Sequence, residues 1–262
     1  MIDTHCHILP GVDDGAKTMD ECIEMAKIAA SEGIHHIIAT PHYIQHSDYL
    51  NKKQLEEVVC DVNEQLKLNE VKLTISLGQE VFLTPDLPKL LKEEEITTLN
   101  ESSYLLIEFP MNDIPMYAED VIYELKLMGI TPIIAHPERY PKVIEDPNIM
   151  HKFLTLGALS QVNVGSILGL FGEKVQETAY ILMEHNMVHL SATDAHSCRR
   201  RAPKMQKALT QVTKLDPEMA RLLFMENPFK VYNNLEIETL TPKEYKKPTI
   251  MTKILNVFKK SS

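Results

Sequence analysis

His5 and His7 stand one residue apart in the opening stretch MIDTHCHILPGVDDG, and the paired acids Asp13 and Asp14 follow at once. In an extended strand residues i and i+2 share a face, so the two imidazoles can address one ion. Imidazole and carboxylate together suit borderline divalent metals such as zinc, manganese or iron. More donors recur at the ends of short apolar runs: His42 after HHIIATP, Glu80 after LTISLGQ, Glu108 after SYLLI, His136 after TPIIA, then Asp194 and His196 after VHLSAT. With Asp14, Glu80, Glu108 and Asp194 ionised, three divalent ions leave the site positive even after a hydroxide is added, and such a site attracts a phosphate dianion. Adjacent metals generate hydroxide at neutral pH and clamp the attacking and leaving oxygens of an in-line displacement. Hydrolysis of a phosphate ester is the chemistry this donor set suits.

Short apolar runs bounded by turn residues read as buried parallel strands. The expected strands are the opening run, Ile34 to Thr40, about Leu73 to Gln79, the run delivering Glu108, Thr131 to Ala135, Ala158 to Val164, and Val188 to Thr193. Between them, helices are expected after the capping box Thr18-Met19-Asp20-Glu21, over Leu55 to Leu66, near Asp86 to Lys92, over Pro115 to Met128 and over Glu173 to His185. Pro203 and Pro217 sit where further helices would begin. Seven β-units alternating with helices give a closed barrel or an open doubly wound sheet. The donors favour the barrel, because the ends of six different strands meet at one mouth only if the sheet closes.

The 262 residues are enough for one large α/β domain with a buried core. The net charge of −10 disfavours nucleic acid as a partner of the body. That charge is uneven: residues 240–262 hold six lysines and one acid, so residues 1–239 carry −15 by subtraction. Four dispersed cysteines without CxxC spacing suggest a reducing compartment. The absence of a leader-like or membrane-spanning run makes the cytoplasm the expected location. No G-x-x-x-x-G-K-[ST] or G-x-G-x-x-G loop occurs, and no cysteine is followed six residues later by arginine, so neither a nucleotide cradle of those kinds nor a thiol-phosphatase loop is supported.

Taken together, DTHCHILPGVDDG, TPH, GQE, IEF, AHPER and TDAH resemble the PHP family, named for polymerase and histidinol phosphatase domains. HILPGVDDGA, AHPERY and QVNVGS are similar to its bacterial manganese-dependent protein-tyrosine phosphatase branch, associated with capsule and exopolysaccharide kinases. The resemblance covers roughly residues 1 to 235 and implies an α/β fold, a distorted seven-stranded (β/α) TIM-like barrel of the PHP type. It implies three divalent ions, manganese before iron, zinc or magnesium. His5, His7, Glu80 and Asp194 would hold one, Glu80, Glu108 and His136 a second, and Asp14, His42 and His196 a third. It also implies mouth arginines for phosphate, matched by Arg139 and, within Arg199-Arg200-Arg201, by Arg201. Cys6 and Asn163 stand where many relatives are expected to carry other small polar residues, without effect on ligation.

The function expected is hydrolysis of phosphotyrosine on a protein, with a cognate bacterial tyrosine kinase as partner. The phenolate leaving group, with a pKa of about 10, lessens the need for a strong general acid. The alternatives are histidinol-phosphate phosphatase or another small-molecule phosphoesterase, a nuclease, and a non-catalytic metal-binding regulatory module. The expected division is a phosphatase domain over 1–239 and a basic tail over 240–262. In the tail Ile250, Ile254, Leu255 and Phe258 share a helical face flanked by Lys253, Lys259 and Lys260. That face suits packing on the barrel or another subunit, and as the lesser reading contact with an anionic membrane surface.

Overall fold

The computed structural model describes residues 1–247. Its strands are β1 (Ile2–Cys6), β2 (His36–Ala39), β3 (His42–Tyr43), β4 (Thr74–Leu77), β5 (Glu80–Phe82), β6 (Tyr104–Glu108), β7 (Thr131–Ala135), β8 (Leu159–Asn163) and β9 (Leu190–Ala192). All pair in parallel, in a three-stranded sheet of order β1-β2-β4 and a six-stranded sheet of order β3-β5-β6-β7-β8-β9. The apolar runs were rightly read as parallel strands, being buried on both faces as such strands are.

Nine strands stand where the sequence leads one to expect seven, and the difference arises at two breaks. The run Ile34 to Thr40 ends its pairing before Pro41, which has no N–H to give the ladder, and resumes at His42. The run Leu73 to Gln79 is interrupted at Gly78-Gln79 and resumes at Glu80. His42 and Glu80 therefore open a second strand piece instead of following the end of the first. The two pieces pair with each other, His42 lying beside Glu80. An isolated parallel bridge joins Cys6 to Ala195, just beyond β9, and His7 N donates to Ala195 O at 2.9 Å. Asp194 N donates to His5 O at 2.8 Å. Beneath this seam the buried Asp3 accepts from both the amide (3.0 Å) and the hydroxyl (2.5 Å) of Thr193.

Helices Met19–Ser31, Lys52–Leu68, Ala118–Leu127 and Glu173–Glu184 cover the strands with their apolar faces. Thr18 caps the first of these, accepting from Glu21 N at 3.2 Å, but Glu21 accepts from Lys17 N and so completes only half of the expected box. Asn51 and Gln54 form the full reciprocal box at the second. Pro217 opens a helix (Pro217–Arg221), capped by Asp216; Pro203 does not, and the next helix begins three residues later at Gln206. The start of the basic segment is pinned to the domain: Asn148 exchanges two hydrogen bonds with the backbone of Tyr245, and Lys243 N donates to His185 O at 2.8 Å. The expected amphipathic face over 250–258 lies outside the described residues. Among the described residues no helix is long and apolar enough to cross a membrane, and all four cysteines are free.

Candidate metal centre

His5 and His7 lie at and just past the end of β1, on one face as their spacing requires, with Nε2 atoms 3.1 Å apart. The loop carrying Asp13 and Asp14 returns onto the same strand end. Gly15 makes that return sterically feasible, since a Cβ there would stand 2.0 Å from His7 O. Asp13 accepts from His7 Nδ1 at 2.7 Å, Gly15 N at 2.8 Å and His42 N at 3.1 Å. It thereby fixes the His7 ring with Nε2 aimed into the centre. Asp14, with a side chain 62% exposed, faces His196 Nε2 at 3.2 Å and His42 Nε2 at 3.5 Å.

Glu80 occupies the middle and is buried. Its Oε1 stands 3.0 Å from His136 Nε2; its Oε2 stands 3.1 Å from His42 Nδ1 and 3.3 Å from both His5 Nε2 and His7 Nε2. Glu108, at the end of β6, reaches His136 Nε2 at 3.4 Å and His42 Nδ1 at 3.9 Å. Asp194 divides its two oxygens. Oδ1 looks toward His196 Nδ1 (3.4 Å), His5 Nε2 and His7 Nε2 (both 3.5 Å). Oδ2 takes donors from Asn163 (2.5 Å), Arg201 (2.7 Å) and Arg139 (3.1 Å).

His136 and Asp194 both adopt left-handed backbone conformations, with φ of 35° and 49°. Such strain in residues other than glycine persists only where the surroundings over-determine it, and it gathers at functional sites. Here each residue is held by its neighbour strand, His136 N donating to Gln161 O and Asp194 N to His5 O.

All nine expected ligands thus meet in one pocket. Donor atoms fall into overlapping groups within 4.8 Å: His7, Asp14, His42 and His196; His5, His7 and Glu80; His42, Glu80 and Glu108. The groups divide the residues differently from the three sets the resemblance implies: His7 and His42 each join two, and His136 and Asp194 fall in none, lying beside them through contacts with Glu80 and Glu108 and with His5, His7 and His196. The donor set fits divalent ions on a geometric ground. Two donors each about 2.1 Å from one ion and roughly 90–110° apart stand about 3.0–3.4 Å from each other. The separations here cluster in that range, yet Glu80 Oε2, with three imidazole nitrogens around it, has no aligned hydrogen bond.

The charges are strongly coupled. Burial opposes protonation of His7 and His42, but the nearby carboxylates of Asp13 and Glu80 raise the first to about 9, and those of Asp14 and Glu80 raise the second to about 11. Burial likewise opposes ionisation of Glu80, yet the charge of His5 and contacts with His136 and His42 hold its carboxyl well below the usual range. His196 and His42 hold Asp14 low. Glu108 moves the other way, raised by burial and by the charge of Glu80.

Arg139 and Arg201 both reach the rim of this pocket; Arg199 and Arg200 are exposed and turned away from Asp194. His35, His36, His46, His151, His185 and His189 take no part in the donor groups. Sequence reasoning missed the supports. Asp13 holds two strand ends, Gln161 lies 2.7 Å from His5 Nδ1 while accepting from Thr4, and Asn163 steers Asp194. The doubled acid before Gly15 was a signal for Asp13; Gln161 and Asn163, inside an apolar run, left little beyond their polarity.

The family described as capsular polysaccharide synthesis, CpsB/CapC, matches residues 1–233. Tyrosine-protein phosphatase YwqE of Bacillus subtilis (strain 168) is 36% identical over 94% of this chain and 97% of its own. Tyrosine-protein phosphatase CpsB of Streptococcus pneumoniae is 32% identical over 88% of this chain and 98% of its own. A crystal structure from work on YwqE of B. subtilis and CpsB of S. pneumoniae, there called unique metal-dependent tyrosine phosphatases, superposes with a TM-score of 0.91. It covers 94% of this chain and 100% of its own at 36% identity.

Proposed function

The chain belongs to the capsular polysaccharide synthesis CpsB/CapC family, and from that premise we propose that its histidine and carboxylate pocket is the active site of a metal-dependent protein-tyrosine phosphatase. One observation carries the reading: the buried Glu80 carboxylate lies at the meeting point of His5, His7, His42 and His136, at distances that suit donors sharing ions. The ligands are His5, His7, Asp14, His42, Glu80, Glu108, His136, Asp194 and His196, holding three ions, with manganese the native metal. Glu80, Glu108 and His136 form one set, Asp14, His42 and His196 another, and Glu80 is shared with the set of His5, His7 and Asp194. The two sheets are taken as one distorted seven-stranded barrel, in which β2 with β3 and β4 with β5 are interrupted single strands and the Cys6 to Ala195 bridge is the closure.

Divalent ions in such a pocket lower the pKa of water and neutralise phosphoryl oxygens. The chain's own residues supply orientation and charge. Asp13 keeps the His7 Nδ1 proton in place, so the ring offers Nε2. Asp194 Oδ2 anchors Arg139 and Arg201 and occupies only part of their N–H donors, leaving others for the equatorial oxygens of a phosphoryl group. The Arg139 guanidinium carbon also lies 4.9 Å from the centre of the Phe171 ring, a cation–π contact that helps hold it at the rim. The substrate is a phosphotyrosine protein, and its source is a cognate tyrosine kinase controlling capsule or exopolysaccharide synthesis, in the cytoplasm. The phosphatase domain is read as 1–239 and 240–262 as a basic tail, whose first residues dock on the domain through Lys243 and Tyr245.

Hydrolysis of a phosphotyrosine peptide beside histidinol phosphate, each with added manganese and after chelation, tests this reading. Manganese-dependent preference for the peptide is expected. Preference for histidinol phosphate would keep the pocket and overturn the substrate.

A further inference from the structure

Beside the pocket a groove of about 300 Å³ opens between the turn over 165–171 and the segment 199–207. Phe171 stands on the boundary: Arg139 lies 4.9 Å and Arg201 6.0 Å from its ring centroid. Gly165 makes room for it, since a Cβ at that position would meet Phe171 Cε2 at 2.9 Å. The far wall carries Arg199, Arg200, Lys204 and Lys207, all exposed. Among the described residues none of these four is in an ion pair, whereas Arg139 and Arg201 both rest on Asp194. No acidic side chain lines the groove. On a chain of net charge −10 this is a local reversal of sign that no acidic side chain of the groove lining balances.

We propose that the groove is a second anion subsite, taking a carboxylate or phosphoryl side chain that lies a few residues from the phosphotyrosine on the same substrate chain. The proposal rests on the tyrosine-phosphatase reading and deepens it. Arg201 borders both the groove and the metal pocket, so one extended chain can lay its ester over the metals and a neighbouring anion against the lysines. The apolar floor formed by Leu168 and Leu170 suits the uncharged residue between two such anions. Rim cations of this kind set KM and its salt dependence more than turnover.

The test uses the metal-loaded full chain with three phosphotyrosine peptides, in which the residue two positions from the phosphotyrosine is glutamine, glutamate or a non-hydrolysable phosphotyrosine phosphonate, and with p-nitrophenyl phosphate. The anionic peptides are expected to show KM values about tenfold below the glutamine peptide, from a few exposed charge pairs. Lys204→Glu with Lys207→Glu should erase that difference while kcat for all peptides, and all kinetics on p-nitrophenyl phosphate, stay the same. A larger effect with the phosphonate than with glutamate assigns the groove to phosphoryl groups; equal effects assign it to negative charge in general. Peptides indistinguishable in the parent enzyme, or a KM advantage that survives the double reversal, would overturn the subsite. Turnover of p-nitrophenyl phosphate with none of any peptide would instead bring down the protein-phosphatase reading itself.

Discussion

The floor of the pocket and the rim beside it are built on opposite rules. On the floor every charged group faces another: four imidazoles surround one carboxylate, and the second nitrogen of His7 is held by Asp13. On the rim four cations face solvent, and among the described residues no carboxylate pairs with them. The floor is buried and close-set, so its energies are large and short-ranged; the rim is exposed, so its energies are small and screened by salt. Position on the floor therefore decides whether chemistry occurs, and charge on the rim decides which chain is presented to it.

The largest test of that contrast is Glu80→Gln. It removes the charge shared by the imidazoles, and turnover should fall by at least about 10³-fold with the far-ultraviolet circular dichroism unchanged, because several kcal/mol of charge stabilisation go with it. His136→Ala is expected to do the same. Arg139→Ala stands between floor and rim and should lower kcat/KM by about 10²-fold while bound metal, counted by elemental analysis, is retained. An Arg139→Ala enzyme with normal kinetics would remove that residue from the mechanism. Asp13→Asn touches no phosphate; it should weaken metal affinity by about 10- to 100-fold, read as a shifted activation curve with manganese that excess metal restores.

His189 sharpens the contrast from outside. It is buried and in no ion pair among the described residues, its Nδ1 accepts from Ser160 N at 3.2 Å, and burial lowers its pKa to about 4. The folded value lies below the unfolded one of about 6.5, so stability is complete above pH 6.5 and is lost as pH falls toward 4. Replacement by asparagine, whose carbonyl can accept the same bond, should remove about 1 kcal/mol of the stability lost between pH 6.5 and 5.5 in urea titrations. The imidazoles of His7 and His42, raised by their acids, should show no such loss in that window. Smallest of all is the ionic-strength effect: raising salt from 0.05 to 0.3 M should raise KM for an acidic phosphopeptide a few-fold and leave p-nitrophenyl phosphate unaffected.

The side chains that meet around Glu80 were legible because they end or interrupt apolar runs, and parallel strands bring such ends to one side; Asp14, in the loop after His7, was marked by its pairing with Asp13 instead. The breaks at Thr40-Pro41 and Gly78-Gln79 were not legible, because an apolar pattern records burial and not the loss of a ladder bond. Nor did periodicity reveal the left-handed turns at His136 and Asp194, which are imposed by bonds to distant strands. Pro203 misled for a related reason: its fixed φ permits a helix start without compelling one, and the segment before Gln206 instead forms the groove wall. Gln161 and Asn163 read as interruptions of a strand, although their partners, His5 and Asp194, come from elsewhere in the chain.

The bridge between Cys6 and Ala195 joins points 189 positions apart. Bringing together residues so far apart in the chain costs loop-closure entropy, which the buried hydrogen bonds of the seam must offset. His5 and His7 sit on one bank of that seam and Asp194 and His196 on the other. Ions held as proposed would span both banks, so metal removal should lower the unfolding temperature as well as activity.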